Sequence, residues 1–378
     1  MKLNMPETAE VVIAGGGIVG CATAFFLAKE GVKATLIEPD SVASRASGFA
    51  AGILNPLDGQ GIPGPLETFA QESFRMTAPL VGEVKGQTGV DPQLRNISCL
   101  WVALREHEAE QFASLYGISQ RLDGFPARWL DAREVLSLEP RISPRVLEGM
   151  YLEGTTQIAA YEYTLGLAEA AEKKGATIRH GRVRGLKRSN GRVSGVVLES
   201  GELSCDKLVL AMGPWMGQAE SWLGFPVPVT PLKGQILRLE LDGPPLEHAV
   251  YRGDGGYIAS KSDGFVWAGT TEEEVGFDDR PTPEARADIM KGTLEVMPYL
   301  DRARVALQTA CLRPVAQDGL PIIGEAPGWE GLYLATGAGR KGILLGAGIA
   351  RATADLVMRG RTGLSIAPFS PDRFVPVE

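Results

Sequence analysis

The sequence predicts an α/β protein in which a discontinuous Rossmann-type domain carries an inserted α+β domain built on an antiparallel sheet. Three observations support this prediction. Residues 9–39 follow the order strand, glycine turn, helix, strand, which is typical of a dinucleotide-binding βαβ unit. Residues 227–312 alternate short strand-like runs with turns, which indicates antiparallel pairing. Residues 331–358 then return to a buried strand, a glycine turn and an apolar helix.

The glycine turn of the first unit has the GxGxxG pattern. Gly15 allows a tight turn, Gly17 lets the backbone approach a pyrophosphate, and Gly20 lets the helix pack on the strand. The start of that helix offers free N–H groups and a positive dipole end to phosphates. Glu38 ends the second strand, where its carboxylate can accept hydrogen bonds from an adenosine ribose. The alternative is a βαβ turn that binds no ligand.

Periodicity predicts the other elements in order along the chain. Residues 18–29 are apolar nearly all round, as expected of a helix packed on a sheet, and helices are also predicted at residues 66–88, 106–116, 163–175, 283–296 and 343–358. One more helix begins after Asp131, which forms a capping-box pattern with Glu134. Alternating or short apolar runs predict strands at 98–104, 177–179, 193–199, 208–210, 232–240, 247–252, 256–260, 265–270, 304–312 and 331–336. Residues 189–191 predict a hairpin, and the Pro- and Gly-rich residues 55–65 predict an irregular loop.

Composition argues against several classes of protein. The net charge of −8, from 38 basic and 46 acidic residues, speaks against a nucleic-acid partner. No apolar run approaches the roughly 20 residues of a membrane-spanning helix. The first ten residues lack the apolar core of a signal peptide, so we expect a cytoplasmic protein. The four cysteines are scattered without a CxxC pair, which fits a reducing compartment and argues against a metal site.

Two late motifs are similar to those of a known flavoprotein family. The first is Leu312-Arg313-Pro314 with residues 318–324 (DGLPIIG), and the second is residues 333–337 (YLATG) followed by residues 340–345 (RKGILL). With the opening glycine pattern and residues 211–215 (AMGPW), nearly the whole chain resembles the D-amino acid oxidase family, and within it the glycine oxidase branch. The chain departs from the family at Ala338, where His is frequent, and in a longer Gly- and Pro-rich segment at residues 48–65.

The resemblance implies FAD, rather than NAD, as the cofactor and a division into two domains. The FAD-binding domain is expected to comprise residues 8–95, 155–222 and 310–370. The substrate-binding domain is expected to comprise residues 96–154 and 223–309. The absence of a second glycine fingerprint also disfavours a nicotinamide dehydrogenase.

The resemblance also implies oxidation of an amine α to a carboxylate. In the family a hydride passes from Cα to flavin N5, and the resulting imino acid hydrolyses to an oxo acid; oxygen as the acceptor gives H2O2. The expected substrate is a small amino acid or an N-substituted glycine. Two alternatives stay open: a sarcosine-type or D-amino acid dehydrogenase that uses an electron carrier, and a non-catalytic flavoprotein. A homo-oligomer is compatible with the sequence.

Site residues follow from the same resemblance. Arg313 is expected to bind the substrate carboxylate, with Tyr257 as a hydroxyl donor, for which Tyr251 competes, and Arg340 near substrate and flavin. For Arg313 the alternative is a surface or ion-paired arginine, and for Tyr257 it is an aromatic residue on a half-buried strand. The residues expected to contact FAD are Gly15, Gly17, Ile18, Val19, Gly20, Glu38, Arg45, Ser47, Val183, Gly213, Trp215, Gly339, Lys341, Gly342, Ile343 and Leu344.

Cys311 has a separate alternative. It matches in type and spacing the cysteine that binds flavin covalently in the related sarcosine oxidase branch. Its neighbours, however, follow the glycine oxidase version of the motif. A small apolar core cysteine is the commoner outcome, so non-covalent FAD is favoured.

Overall fold

The computed structural model describes residues 8–253 and 255–375, which form two sheets and their flanking helices. The strands are β1 (Thr8–Ala14), β2 (Ala34–Glu38), β3 (Ile53–Leu54), β4 (Arg95–Ala103), β5 (Ala127–Asp131), β6 (Glu148–Gln157), β7 (Thr177–His180), β8 (Val183–Ser189), β9 (Arg192–Leu198), β10 (Gly201–Leu210), β11 (Val229–Glu240), β12 (His248–Arg252), β13 (Tyr257–Ser260), β14 (Val266–Gly269), β15 (Arg304–Ala316), β16 (Ile322–Glu325) and β17 (Leu332–Thr336). The helices are α1 (Ile18–Lys29), α2 (Ala46–Phe49), α3 (Glu67–Thr88), α4 (Glu106–Ser119), α5 (Ala132–Leu138), α6 (Ala160–Lys173), α7 (Glu220–Leu223), α8 (Pro283–Val296) and α9 (Gly342–Arg359).

The first sheet has a parallel core in the order β17-β10-β1-β2-β7, with β16 antiparallel at one edge. Residues 11–14 of β1 are all apolar and buried. Val11 and Ile13 pack in the core that contains α1 and α9, and Val12 and Ala14 pack on the opposite face. From β1 the chain crosses to β2 on one side, whereas β10 lies on the other. The crevice beyond their carboxyl ends is therefore a topological switch point, where such sheets bind ligands.

The second sheet has the order β15-β11-β14-β13-β12-β4-β6-β3, with β5 paired to β6. Its neighbouring strands are antiparallel except for β12 and β4, which run parallel. The predicted fold class, a parallel sheet with an inserted antiparallel sheet, is confirmed. The domain boundaries stay a prediction; strand pairing assigns β3 and the whole of β15 to this second sheet.

Local end signals position several elements as predicted. The carboxylate of Asp131 accepts hydrogen bonds from the N–H groups of Arg133 (2.8 Å) and Glu134 (2.9 Å), and the Glu134 carboxylate accepts one from the Asp131 N–H. This capping box begins α5. At the predicted hairpin, Asn190 and Gly191 both have positive φ, as a tight turn between β8 and β9 requires. Strands β3, β5, β6 and β16 and the short helices α2 and α7 were not predicted. None of the helices in the described ranges combines the length and apolar content that a membrane crossing demands.

Lys261 is a buried lysine directly after β13. Its side chain donates hydrogen bonds from Nζ to the carbonyl oxygens of Ala51 (2.5 Å) and Ile158 (3.1 Å). These bonds join the second sheet to the segment that follows α2 and to the residue that follows β6. Burial disfavours the charged form and lowers the pKa of Lys261 to about 7.

We expect the wild type to gain stability relative to a Lys261→Met variant as pH rises from 7 towards 10. Over that interval the unfolded chain keeps the lysine protonated while the folded protein does not, so unfolding takes up a proton and becomes less favourable as pH rises. Urea unfolding at about pH 6.5 and about pH 9.5 measures the change. The exposed Lys291→Met is the matched control. A difference between wild type and Lys261→Met that does not vary with pH would contradict the lowered pKa.

Candidate active site

A cavity of about 790 Å³ lies between the two sheets, beyond the carboxyl ends of β1, β10 and β17. The glycine turn after β1 and residues 335–345 line its first-sheet side. Side chains from β11, β13 and β15 line the opposite side. The cavity therefore coincides with the switch point of the parallel sheet.

The glycine turn forms a cradle without side chains on this cavity. Gly15 has a φ of +113°, and a Cβ there would overlap the backbone that follows β10. Cβ atoms on Gly16 and Gly17 would lie 3.0 Å from Glu38 and 3.2 Å from the Ser47 hydroxyl. Larger residues would therefore fill the space through which a ligand approaches the backbone.

Glu38 and Ser47 hold the turn in place. The Glu38 carboxylate accepts a hydrogen bond from the Gly16 N–H at 2.6 Å and another from the Asp40 N–H at 2.9 Å. The Ser47 hydroxyl accepts a hydrogen bond from the Ile18 N–H at 2.9 Å, at the start of α1. Glu38, whose carboxylate is predicted to bind the ribose, is thus fixed at one end of the cavity, beside the glycine cradle.

Two helices begin at the cavity. Ile18 and Val19 of α1 line it on one side of the cradle, and Gly342, Ile343 and Leu344 of α9 line it further along. Neither helix has an acidic residue in its first turn. Both N-termini therefore present positive dipole ends that favour negative charge on a ligand.

Strand register brings Arg313 and Tyr257 to one face of the second sheet. Arg313 on β15 pairs with Leu232 on β11, and Ile236 lies on the same face four residues further along β11. Ile236 pairs with Gly269 on β14, which pairs with Tyr257 on β13. Directly opposite residues share a face. This face turns towards the cavity, which Arg313, Ile236 and Tyr257 all line.

Aromatic rings continue the same face. Tyr251 pairs with Tyr257 on one side and with Trp101 of β4 on the other. The rings of Trp101 and Tyr251 stack with their centroids 4.6 Å apart, and those of Tyr251 and Tyr257 are 6.4 Å apart. All three residues line the cavity and give it a flat, largely apolar wall.

Hydrogen bonds to Thr270 and Thr271 hold the guanidinium of Arg313 in place. Its Nη2 donates a hydrogen bond to the Thr270 hydroxyl at 2.8 Å, and its Nη1 donates one to the Thr271 carbonyl at 3.3 Å. It packs on Gly234, where a Cβ would overlap it. The side chain is 13 % exposed, so its charge is largely shielded from water and can interact strongly with an anionic ligand.

Tyr257 places an unsatisfied hydroxyl in the cavity wall. Its Oη is buried and has no hydrogen-bond partner among the described residues. Burial raises the pKa of Tyr257, and the charge of Arg313 acts in the opposite direction. The phenol is therefore neutral over the physiological range and can donate a hydrogen bond to an anionic ligand.

Arg340 and Lys341 are held by acidic side chains. Arg340 forms an ion pair with Glu272, whose carboxylate also lies 3.6 Å from Arg313 Nη1. Lys341 forms an ion pair with Asp58 and donates a hydrogen bond to a carbonyl oxygen of the irregular loop at residues 55–65. This loop is thereby tied to the turn before α9.

Every residue predicted to form the site lines the cavity, with the exception of Gly20. A Cβ on Gly20 would overlap the Gly15 carbonyl, so Gly20 serves the packing of α1 on β1. The roles of the others towards ligands stay predictions. The sequence did not indicate Trp101, Thr270 or Glu272, which also line the cavity. Trp101 lies in an apolar strand, where a tryptophan usually indicates core packing. Thr270 and Glu272 lie in a segment that carries no recognisable motif.

Known proteins match this sequence and fold. The model of the DAO family, described as FAD dependent oxidoreductase, matches residues 10–356. The chain belongs to this family. A glycine oxidase from Geobacillus kaustophilus is 31 % identical over 375 residues, which cover 98 % of each chain. The resemblance inferred from the motifs is confirmed, and the protein is an FAD-dependent oxidoreductase that acts on amino acids.

Solved structures agree with this assignment. The crystal structure of glycine oxidase from Geobacillus kaustophilus superimposes with a TM-score of 0.93 at 29 % identity, over 98 % of this chain and all of the other. The structure of an iminodiacetate oxidase from a Chelativorans species gives 0.87 at 25 % identity, over 96 % and 99 %.

The cavity of this enzyme fits FAD. The glycine cradle and the α1 N-terminus suit a pyrophosphate, and the fixed carboxylate of Glu38 suits a ribose. The α9 N-terminus suits the electron-rich end of a flavin. Bound FAD supplies the electron acceptor for amino acid oxidation.

Proposed function

We propose that this enzyme oxidises glycine, other small amino acids and N-substituted glycines at the bond between Cα and nitrogen. The product is an imino acid, which water hydrolyses to an oxo acid and ammonia or an amine. Oxygen is the proposed acceptor, with H2O2 as the second product. Arg313 and the unsatisfied Tyr257 hydroxyl, on one face of the cavity, carry this proposal. The similarity to glycine oxidases supports it.

Arg313 is the proposed carboxylate-binding residue. Its bonds to Thr270 and Thr271 occupy one hydrogen on each Nη and fix the plane of the guanidinium. The remaining donors suit a planar carboxylate, and an arginine fork binds such a group with defined orientation. Tyr257 adds a neutral hydroxyl donor. A substrate held in this way has its Cα oriented by the protein, and orientation is the main contribution required of the chain.

The aromatic wall supports a small substrate. Trp101, Tyr251 and Tyr257 form a rigid surface next to the proposed carboxylate position. Rings of this kind are held by strand pairing and by stacking, so they yield little to a bulky side chain. Glycine, sarcosine and D-alanine are therefore the substrates to test first.

We expect the flavin to be bound without a covalent link. Cys311 lines the cavity, but burial raises the pKa of its thiol and so disfavours the nucleophilic thiolate. Acid precipitation of the purified protein should release all the yellow colour into the supernatant. The Cys311→Ser variant should retain the same flavin content as the wild type. Colour that stays with the precipitate in the wild type and leaves it in Cys311→Ser would establish the covalent link instead.

Anaerobic mixing of the purified holoenzyme with single amines tests the proposed function. Glycine, sarcosine, D-alanine and L-proline are added in turn while the flavin absorbance is followed. Bleaching by glycine or sarcosine supports the proposal, and rapid recovery of the colour on admission of air identifies an oxidase. Slow recovery in air, with rapid recovery on addition of an artificial electron carrier, identifies a dehydrogenase. A flavin that none of these amines bleaches would contradict the proposed substrate class.

A further inference from the structure

Three charged side chains meet at the cavity, and we name them the Glu272 triad: Arg313, Glu272 and Arg340. One carboxylate oxygen of Glu272 lies 3.6 Å from Arg313 Nη1, and the other forms an ion pair with Arg340. All three residues line the cavity. The carboxylate of Glu272 thus lies between the residue proposed to bind the substrate carboxylate and a second guanidinium.

The two arginines differ in their surroundings. The Arg313 side chain is 13 % exposed and the Arg340 side chain is 58 % exposed. Glu272 forms an ion pair with each arginine: its oxygen lies 3.6 Å from Arg313 Nη1, which is too far for a hydrogen bond, whereas its contact with Arg340 is direct. Arg313 therefore keeps donors for an incoming anion. Arg340 is already paired with an anion of the protein, the Glu272 carboxylate.

The charge of the triad matches a ligand with one carboxylate. Two guanidinium groups and one carboxylate leave a single net positive charge. A monocarboxylate at Arg313 neutralises that charge. The second carboxylate of a dicarboxylate ligand would lie close to the Glu272 carboxylate, and the two negative charges would repel each other. The guanidinium of Arg340 could otherwise have bound the second carboxylate of the ligand, but it is already paired with Glu272.

We propose that Glu272 makes the enzyme selective for amines with a single carboxylate by occupying Arg340. This inference rests on the proposed function, because it takes Arg313 as the carboxylate-binding residue. Sarcosine and iminodiacetate form the informative pair of substrates: the N-methyl group of the first becomes an N-carboxymethyl group in the second. The enzyme accepts the first and discriminates against the second.

Two ethers test binding without turnover. Methoxyacetate corresponds to sarcosine and oxydiacetate to iminodiacetate, with an ether oxygen in place of the oxidisable amine. Their dissociation constants are measured on the holoenzyme from the perturbation of the flavin absorption spectrum. We expect Glu272→Gln to shift the ratio of the two dissociation constants by up to about fivefold in favour of oxydiacetate. The ratio of kcat/KM for iminodiacetate and sarcosine should move in the same direction.

Glu274→Gln is the matched control. Glu274 is exposed, lies two residues away in the same segment and does not line the cavity. Its replacement removes the same charge and should leave both ratios within about twofold of the wild type. The double variant Glu272→Gln/Arg340→Gln should lose the affinity for oxydiacetate that Glu272→Gln gains, because the freed guanidinium is then absent.

The outcomes separate the two proposals. An unchanged ratio of the two dissociation constants in Glu272→Gln would overturn the selectivity role. If both ethers gain affinity equally, Glu272 is a simple competitor for Arg313. Should Glu272→Gln fail to retain flavin, Glu272→Ser provides the same comparison. If no amine is oxidised but the ethers bind with the expected ratios, the proposed reaction fails while the selectivity stands. Oxidation of sarcosine with unchanged ratios gives the reverse conclusion.

Discussion

Replacement of Arg313 by alanine is expected to raise KM for glycine and sarcosine by about 100-fold. A hydrogen-bonded ion pair in a shielded site contributes up to about 3 kcal/mol, which corresponds to roughly that factor. The shielding is present here, because the Arg313 side chain is 13 % exposed and packs on Gly234. Steady-state kinetics with both substrates measure the effect, and methoxyacetate binding measures it without turnover.

Two further variants show whether the effect belongs to the site. Arg304→Ala removes an exposed arginine from the same strand, β15, and should leave KM unchanged within about twofold. Arg313→Lys keeps the charge but loses the planar fork, so its KM should lie between those of the wild type and Arg313→Ala. Unchanged flavin content and melting temperature show that Arg313→Ala is folded. A folded Arg313→Ala enzyme with the wild-type KM would remove Arg313 from the substrate site.

Replacement of Glu38 by alanine is expected to weaken FAD binding by roughly 10- to 100-fold, since a hydrogen bond to a charged group contributes about 1.5–3 kcal/mol. Glu38 has two tasks in the proposed complex. It fixes the glycine cradle through the Gly16 and Asp40 N–H groups, and it offers its carboxylate to the ribose. Apoprotein titration with FAD, followed by the quenching of flavin fluorescence, gives the dissociation constant.

Glu10→Ala is the control for this experiment. Glu10 also accepts a hydrogen bond from a backbone N–H, that of Lys33 at 3.2 Å, in the same βαβ unit. It does not line the cavity. Its replacement removes an acidic side chain from the same βαβ unit without touching the cavity, so the affinity for FAD should stay unchanged. A Glu38→Ala protein that keeps its full flavin through dialysis would show that the ribose assignment is wrong.

Features that depend on neighbouring residues were predictable from the sequence. The GxGxxG turn needs glycine where φ is positive and where a Cβ would meet backbone, so its spacing reports the local geometry directly. The capping box at Asp131 and the hairpin at residues 189–191 are signals of the same kind. The bounds of α1 and α8 agree with the predicted ranges, because α1 is a continuous apolar run after the glycine turn and α8 begins at the Thr282 cap and Pro283.

Strands without a clear pattern were not predictable in this way. Strand β6 carries two glycines and several polar residues, and its stability comes from pairing with β4 and β5 on both sides. Strand β16 is four residues long and is held against β17 at a sheet edge. Strand propensity reflects the fit to neighbouring strands, and those neighbours are distant in the chain.

For this protein, the sequence by itself determined the fold class, the family and the motif residues that line the cavity, because each rests on patterns whose residues are close in sequence. Only the tertiary structure decided how their charges are shared. Strand register turned Arg313 and Tyr257 to one face, and a segment without a motif brought the Glu272 carboxylate to both Arg313 and Arg340. An ion pair depends on distances of a few ångströms between residues far apart in the chain, and no local pattern encodes those distances.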